Sequence, residues 1–450
     1  MNKIIRSLTW VGLIFLLCFL VACGGDDGKS ENDNIPLKTI DITNAQNLFV
    51  TADISSRSDE KPTLYKITAD GKVEKVSYFD ENGKELSCVP NQDGYCDDSS
   101  PVYIQNINNN YIVILFGWPS NADYPEFGYL VRKSDGAVFG LGDAVPTGQG
   151  GNGFINGKKI QTDSSGNLYF IYYSYDYEKD CLRKINIEDP NKITSERYTP
   201  DIDNVHFFTV DSNGNVIYSA SLSSSDGSVY YSRIKKTNGG IKDILYDYFA
   251  HWKGLDGSIY LSGWDNNNTI EKVTVDGAYN VTFSDYITNF YTTINSTDYY
   301  MTCGSAGSYL FKTADKIVIY ETDYPVVMWE VDNGSNSPRA IDISAADISS
   351  VISATCSDNY YYIVGKSSGS VNFIKIDPTD GTTTTLLSSD LYYVTCFSVS
   401  SSNQITFNAL RYSDGAKIIG KIDANGSGPY IVTIVDESIN AEISVLERIN

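Results

Sequence analysis

Apolar and polar residues alternate along most of this chain in short runs, with the period of a β-strand rather than a helix. In "VDSNGNVIYSASL", from Val210, a strand ends at an Asp, Ser-Asn-Gly-Asn makes a turn, and a run rich in Val, Ile and Tyr follows. "TDSSGNLYFIYYS", from Thr162, has the same layout. Asp163 and Asp211 are placed to turn the chain, and Gly166 and Gly214 to accept the positive φ of a tight return. A capped helical pattern a dozen residues long is missing; the nearest is the brief "INAEISVLERI" at the C-terminus. The pattern predicts an all-β fold.

A third strand carrying Lys or Arg recurs as "LYKITADGK", "YLVRKSDGA", "CLRKINIED", "SRIKKTNGG", "IEKVTVDGA", "YLFKTADK", "FIKIDPTDG" and "IIGKIDANG". A first, second and fourth strand can be drawn around each. The first unit reads "TIDIT", "NLFVTADI", "TLYKITADG", "VEKVSYF"; the last reads "CFSVS", "QITFNALRY", "KIIGKIDANG", "YIVTIVDE". One small twisted sheet cannot cover its own faces, so such units stack around an axis and bury one another. Four antiparallel strands per repeat of this length predict a single β-propeller, with eight candidate repeats and seven or eight blades. A β-sandwich array or two smaller propellers are the rival architectures. "YPVVMWEVDNGSNSPRAIDIS" and the Cys88–Cys96 region read as insertions that could hide or mimic a blade. The units resemble those of NHL-type and related extracytoplasmic propellers, whose repeat runs strand, "D-x-x-G-N-[aliphatic]-Y", strand, then an "[aliphatic]-x-[KR]" strand.

The N-terminus has a different pattern. Lys3 and Arg6 precede the apolar run Trp10–Ala22, which is shorter than the roughly twenty residues a membrane-spanning helix needs. The run suits a secretory signal. It ends in "LVAC", which resembles a bacterial lipoprotein signal; that resemblance implies cleavage before Cys23 and acylation of the new N-terminal cysteine. The expected layout is signal peptide 1–22, flexible tether 23–37, propeller 38–436 and a C-terminal tail 437–450. Gly24, rather than Asp, follows the cysteine, which by analogy with enterobacterial lipoproteins favours the outer membrane in a Gram-negative host. The implied location is the cell envelope, with the membrane as a partner through the lipid.

A formal charge of −22 argues against nucleic acid as a partner. Six cysteines remain besides Cys18 and Cys23: Cys88, Cys96, Cys181, Cys303, Cys356 and Cys396. Six thiols allow fifteen pairings. "CVPNQDGYC" could fold back through Pro90, Asp93 and Gly94, making Cys88–Cys96 the one local disulfide candidate. With no CxxC and two histidines, zinc is not expected.

The candidate chemistry is thin. His206 lies five residues before Asp211, His251 five before Asp256, and Lys158 five before Asp163. In a propeller these three would sit where successive innermost strands begin, at the channel mouth, able to grip an anion; the imidazoles could also share a metal. Asp201 and Asp203 lie near His206, but no catalytic motif surrounds them. The Asp-Gly turns miss the spacing of a calcium loop. No cofactor is implied, and no catalytic residue can be named. The 34 tyrosines suit cross-strand packing and equally the recognition of peptide or glycan. The expected function is a binding or scaffolding module for protein, peptide or glycan. The alternative is a propeller enzyme (hydrolase, lyase or metal-dependent lactonase-like) acting at the central channel.

Overall fold

The computed structural model describes residues 37–51, 61–90, 94, 99–117, 127–141, 153–155, 160–174, 179–187, 194–199, 203–224, 227–244, 248–253, 257–263, 270–287, 291–301, 308–312, 316–321, 325–332, 337–357, 359–367, 370–387, 392–425, 428, 430–439 and 443–449. Cys23, Cys96, Lys158, Asp201 and Cys303 lie outside these residues.

The chain forms a β-propeller of eight antiparallel units, and the alternation seen in the sequence is what closes it. Blade 1 pairs Ile443–Arg448, Ala45–Thr51, Leu64–Thr68 and Val73–Lys75; blade 2 pairs Ser100–Asn106, Tyr111–Gly117, Phe127–Arg132 and Val138–Gly140. Blade 3 has a first strand in two pieces, Gly153–Ile155 and Gln161–Thr162, then Leu168–Ser174, Lys179–Asn186 and Thr194–Arg197. Blade 4 comprises Asp203–Val210, Val216–Ser224, Gly227–Lys235 and Ile241–Ile244; blade 5, Tyr248–Lys253, Ile259–Gly263, Ile270–Val275 and Val281–Ile287. Blade 6 comprises Ser308–Lys312, Lys316–Glu321, Val327–Asp332 and Arg339–Asp342; blade 7, Ser350–Cys356, Tyr361–Ser367, Ser370–Ile376 and Thr383–Leu387; blade 8, Tyr392–Val399, Gln404–Arg411, Lys417–Asp423 and Thr433–Asp436.

Each junction between neighbouring blades holds its own apolar cluster. On the second strand of blade 4, Val216 and Tyr218 pack toward blade 3 with Tyr169 and Leu182, while Ile217 between them packs toward blade 5 with Ile259 and Leu261. On blade 2, Ile112 and Ile114 face blade 1, and Val113 and Leu115 face blade 3. A period of two with both phases apolar is what a sheet buried on both faces requires. The series ends where it began: Ile419 of blade 8 and Phe49 of blade 1 share the last cluster with Ile443. Eight junctions fix eight blades among the described residues, the upper of the two expected counts.

Four expectations change. The segment 437–450 is not a tail: Ile443–Arg448 pairs along Ala45–Thr51 as the innermost strand of blade 1, so the propeller runs to Ile449 rather than 436. "TIDIT" is displaced from that place. Leu37–Ile40 instead pairs with Tyr78–Asp80, which pairs with Glu85–Leu86, in a small sheet packed over blades 1 and 2. This strand comes within hydrogen-bond reach of the blade 2 turn at Gly136 (φ 69°), where a Cβ would overlap the carbonyl of Ile40. "YLFKTADK" spans the first strand of blade 6 and not a third, and "YPVVMWEVDNGSNSPRAIDIS" supplies that blade's third and fourth strands rather than an insertion. A hairpin, Tyr291–Ile294 with Thr297–Tyr300, is added between blades 5 and 6, turning through Asn295 and Ser296 at positive φ.

The recurrent third-strand cations are structural. Lys375 donates to the Ala424 carbonyl (3.0 Å) and lies over the rings of Tyr360 and Tyr430; Lys184 and Lys235 both lie over Tyr198, and Lys272 over Tyr260. In blades 1 and 3 this lysine stands opposite a glutamate on the fourth strand, Lys66 with Glu74 and Lys184 with Glu196. Blade 6 inverts the pair to Glu330 and Arg339, which removes the Lys/Arg signature there.

Cys181, Cys356 and Cys396 form no disulfide, so the six do not all pair. Cys88 is disulfide-bonded; Cys96, its expected partner, lies outside the described residues. Burial pushes the Cys396 thiol up to about 12, far from its thiolate at neutral pH. Native protein treated with iodoacetamide at pH 8 should therefore leave Cys396 unmodified, and unfolding should expose it. Peptide mass mapping reads both states, and rapid native labelling of Cys396 contradicts the burial.

Candidate functional site

The innermost strands share a device that residue types do not announce. In six blades one residue of the first strand has no partner on the second, a β-bulge: Ser444 in blade 1, Val102 in blade 2, His206 in blade 4, Phe249 in blade 5, Ile352 in blade 7 and Thr395 in blade 8. Each lies four residues before the strand's last residue, as 206 does before Val210 and 395 before Val399. A bulge bends its strand and re-aims the side chains beside it. His206 and Ser444 are exposed, Phe207 retains 45% of its surface and Ile352 38%. These side chains mark the half of the channel nearer the strand starts.

His206 is thus where the sequence placed it, on an innermost strand, but its match with His251 fails. His251 pairs opposite Leu261, two residues beyond the bulge at Phe249. The turn explains the offset. Five residues, 254–258, link Lys253 to Ile259 as 211–215 link Val210 to Val216, so Gly257 matches the turn glycine Gly214 and position 254, two residues before Asp256, matches Asp211. The side chains of His251 and Asp203 lie outside the described residues. His206 Nε2 lies 2.8 Å from Ser221 Oγ, and Asn204 Nδ2 reaches the same oxygen at 3.5 Å. Ser221 is buried, so its hydroxyl orients the imidazole instead of facing a channel ligand as a nucleophile.

The turn side of the channel is built differently. There the free edges of innermost strands are taken up by side chains from neighbouring blades. Gln161 of blade 3 donates to the Phe208 carbonyl (3.0 Å) and accepts from the Val210 N–H (3.0 Å), mimicking a ladder strand. Gln105 of blade 2 donates to the Ile160 carbonyl at 2.9 Å, and Arg448 of blade 1 to the Val399 carbonyl of blade 8 at 3.4 Å. Glu447 accepts from the Asn106 N–H at 3.0 Å; burial pushes its carboxyl up, against the pull of that bond and of Lys133. Lys253 of blade 5 reaches past blade 4 to the Thr162 carbonyl of blade 3, 3.0 Å away. Burial lowers the Lys253 ammonium pKa, opposed by the charges of Asp211 and Asp163, and burial raises that of Asp211. Sequence reasoning passed over Lys253, although it stands in the same "HWKGLD" as His251.

The repeated Asp turns are as read. Asp211 accepts from Asn213 N–H, Asn215 N–H and Asn215 Nδ2 at 2.7–2.8 Å, and Asp163 makes the same set with Ser165 and Asn167 plus a bond from the Tyr169 hydroxyl. Gly166 and Gly214 have φ of 85° and 80°. The carboxylate oxygens are engaged by their own turns. Consecutive turns are also strung together, Ser164 N–H to the Ser212 carbonyl and Ser212 N–H to the Gly257 carbonyl. A cavity of about 430 Å³ on blade 1 is lined by Asp41, Lys66, Thr68, Asp70, Lys72 and Glu74 among others, and its charges pair internally: Lys66 with Asp41 at 2.8 Å, Lys72 with Asp70 at 2.7 Å.

No family model and no curated protein matches the chain. Among solved structures it is similar to a prolyl endopeptidase at 8% identity and a TM-score of 0.47, covering 75% of this chain and 50% of that one. An oligogalacturonate lyase in complex with manganese gives 10% and 0.43, covering 90% and 99%; a candidate 6-phosphogluconolactonase from Bacteroides fragilis gives 9% and 0.39, covering 91% and 99%. The chain spans about half the length of the peptidases it matches.

Proposed function

We propose that this chain is a lipid-anchored, extracytoplasmic β-propeller that acts as a binding or scaffolding module for protein, peptide or glycan, in the manner of the NHL-like propellers its repeats resemble. Acylation at Cys23 holds it to the cell envelope, at the outer membrane in a Gram-negative host, and the Cys88–Cys96 disulfide suits that compartment. One observation carries the reading: the two halves of the channel differ. On the turn side the polar side chains of Gln105, Gln161, Lys253 and Arg448 are spent on backbone groups. On the strand-start side, bulges leave His206, Phe207 and Ile352 exposed on a rigid wall, an imidazole beside apolar surface of the kind that anchors a ligand.

Two measurements test it. Palmitate labelling in the native host should be abolished by Cys23→Ala; unchanged labelling ends the anchor reading. A photo-crosslinking residue at Phe207 should capture a partner that one at Ser164, on the turn side, does not. Phe207→Ala with Ile352→Ala should remove binding while changing stability by only about 0.5 kcal/mol, since both side chains are exposed. Equal capture from the two positions sinks the channel site.

The second reading, a hydrolase, lyase or lactonase-like enzyme at the channel, draws on Lys253 and Asp211, which burial pushes toward their neutral forms as in acid–base pairs. Turnover of an ester, lactone or uronide panel that Lys253→Met abolishes would favour it over scaffolding.

A further inference from the structure

In a chain of charge −22, the outer rim of blade 4 carries three lysines, and its one acidic residue, Asp243, stands opposed to Arg233. Lys235 and Ile241 are directly opposed on its third and fourth strands, Lys242 is opposed to Ile234, and Lys236 begins the turn between those strands. Lys236 Nζ donates to the Tyr279 carbonyl at 3.1 Å and Lys242 Nζ to the Val281 carbonyl at 3.2 Å, both on blade 5; Lys235 Nζ donates to the Gly239 carbonyl at 3.2 Å. All three ammonium groups bond to backbone, and no carboxylate pairs with any of them among the described residues. The nearby Asp276 spends its oxygens on Ala278 N–H, Asn280 N–H and Asn280 Nδ2. Between the lysines, Ile241 and Tyr279 remain 39% and 38% exposed, on opposite faces of the rim.

We infer that this rim is a contact for an anionic phospholipid surface. Held on carbonyls and over the Tyr198 and Phe283 rings, none of these ammonium groups is neutralised by a described carboxylate, so their charge is left for phosphates while an aliphatic and an aromatic side chain enter the headgroup layer, which is interfacial chemistry. The inference rests on the anchored reading, and the position of the chain's entry agrees with it. Ile40 bonds to the blade 2 turn at Gly136, and Asn44 to the blade 1 turn at Ala69, so the N-terminal segment enters on the same turn face that carries Lys236 and Tyr279. The tether before Leu37 can extend about 50 Å, enough to let the far rim touch the bilayer that holds the acyl group. The turn carrying Asp377 and Asp380, elsewhere on that face, is repelled by the same surface, so the disc tilts onto blade 4.

Every described sheet lies within 37–449 and the ring closes on itself, so the chain from Gly24 onward, with no acyl group, serves as the test protein. It should co-sediment with phosphatidylglycerol-containing vesicles at low salt and not with phosphatidylcholine alone. K235Q/K236Q/K242Q should lower partitioning about fivefold per lysine, on the order of 100-fold together. I241S/Y279S should weaken it further without altering the melting temperature. Equal binding to both vesicle types, or binding indifferent to the lysines, overturns the inference. So does full competition by soluble polyglutamate with the same lysine dependence, which would mark an acidic protein partner. Because no acyl group is present, this outcome is independent of the Cys23→Ala labelling result.

Discussion

Ending the chain at Asn440 should abolish the cooperative unfolding of the whole propeller rather than fray one end. The deletion removes the innermost strand of blade 1, and with it the ladder along Asn47–Thr51 and the buried Ile443 and Ile449. Phe49, Leu48 and Val50, now buried against that strand and blades 2 and 8, would face water. Burying one large aliphatic side chain is worth about 1.5–3 kcal/mol, and at least five are affected, so the loss is on the order of the entire stability of a domain. Urea unfolding followed by far-UV circular dichroism reads the result. A truncated protein with an unchanged midpoint would mean that the ring does not depend on its closing strand. A gentler version, Ile449→Ala, should cost about 2–5 kcal/mol while leaving the fold intact.

Second in expected size is the ion pair within blade 6 that abuts blade 7. Glu330 is 2% exposed, accepts from Arg339 Nε at 2.8 Å and Nη2 at 2.5 Å, and takes the Tyr361 hydroxyl from blade 7 on its other oxygen. Arg339 also bonds the carbonyls of Pro378 and Thr379. Arg339→Met leaves a buried carboxylate without its cation and should cost about 3 kcal/mol or more. Adding Glu330→Gln should recover much of that loss, because a neutral amide tolerates burial while the tyrosine hydroxyl still has an acceptor. A double variant as unstable as the single one would show that lost packing, not stranded charge, sets the cost. Thermal melts of wild type, both single variants and the double variant complete the cycle.

What could be read from the sequence follows from how local each feature is. Blade 8 reads correctly strand by strand, because its four strands are consecutive and its turn residues mark each reversal. Seven of the eight Lys/Arg motifs mark third strands for the same reason. The eighth misled, since Glu330 takes the lysine's place on the third strand with Arg339 opposite it, and the lysine of the quoted motif, Lys312, belongs to a first strand. Blade 1 was misread because its innermost strand comes from the other end of the chain, while a plausible substitute, "TIDIT", stands just upstream of its second strand. The bulges left no trace in composition: Ser, Val, His, Phe, Ile and Thr occupy one structural position. His206 stood out only through its rarity, and aligning it with His251 by distance to an Asp gave a two-residue error that register alone corrects. Lys253 went unnoticed because its partner, the Thr162 carbonyl, lies two blades away.

The clasp between the chain ends also governs the order of events in folding. Asn47 and Arg448 face each other across a loop of about 400 residues, and bringing such ends together costs about 5 kcal/mol of chain entropy before any constant term. That cost is not recovered until blades 2 to 8 have drawn the ends close. Blade 1, though translated first, is therefore completed last. Until residues 443–448 emerge, its second strand presents an unpaired edge and the molecule has no closed state to fall into. The ring thus becomes rigid only when the last strand of the chain arrives, however early the other blades form.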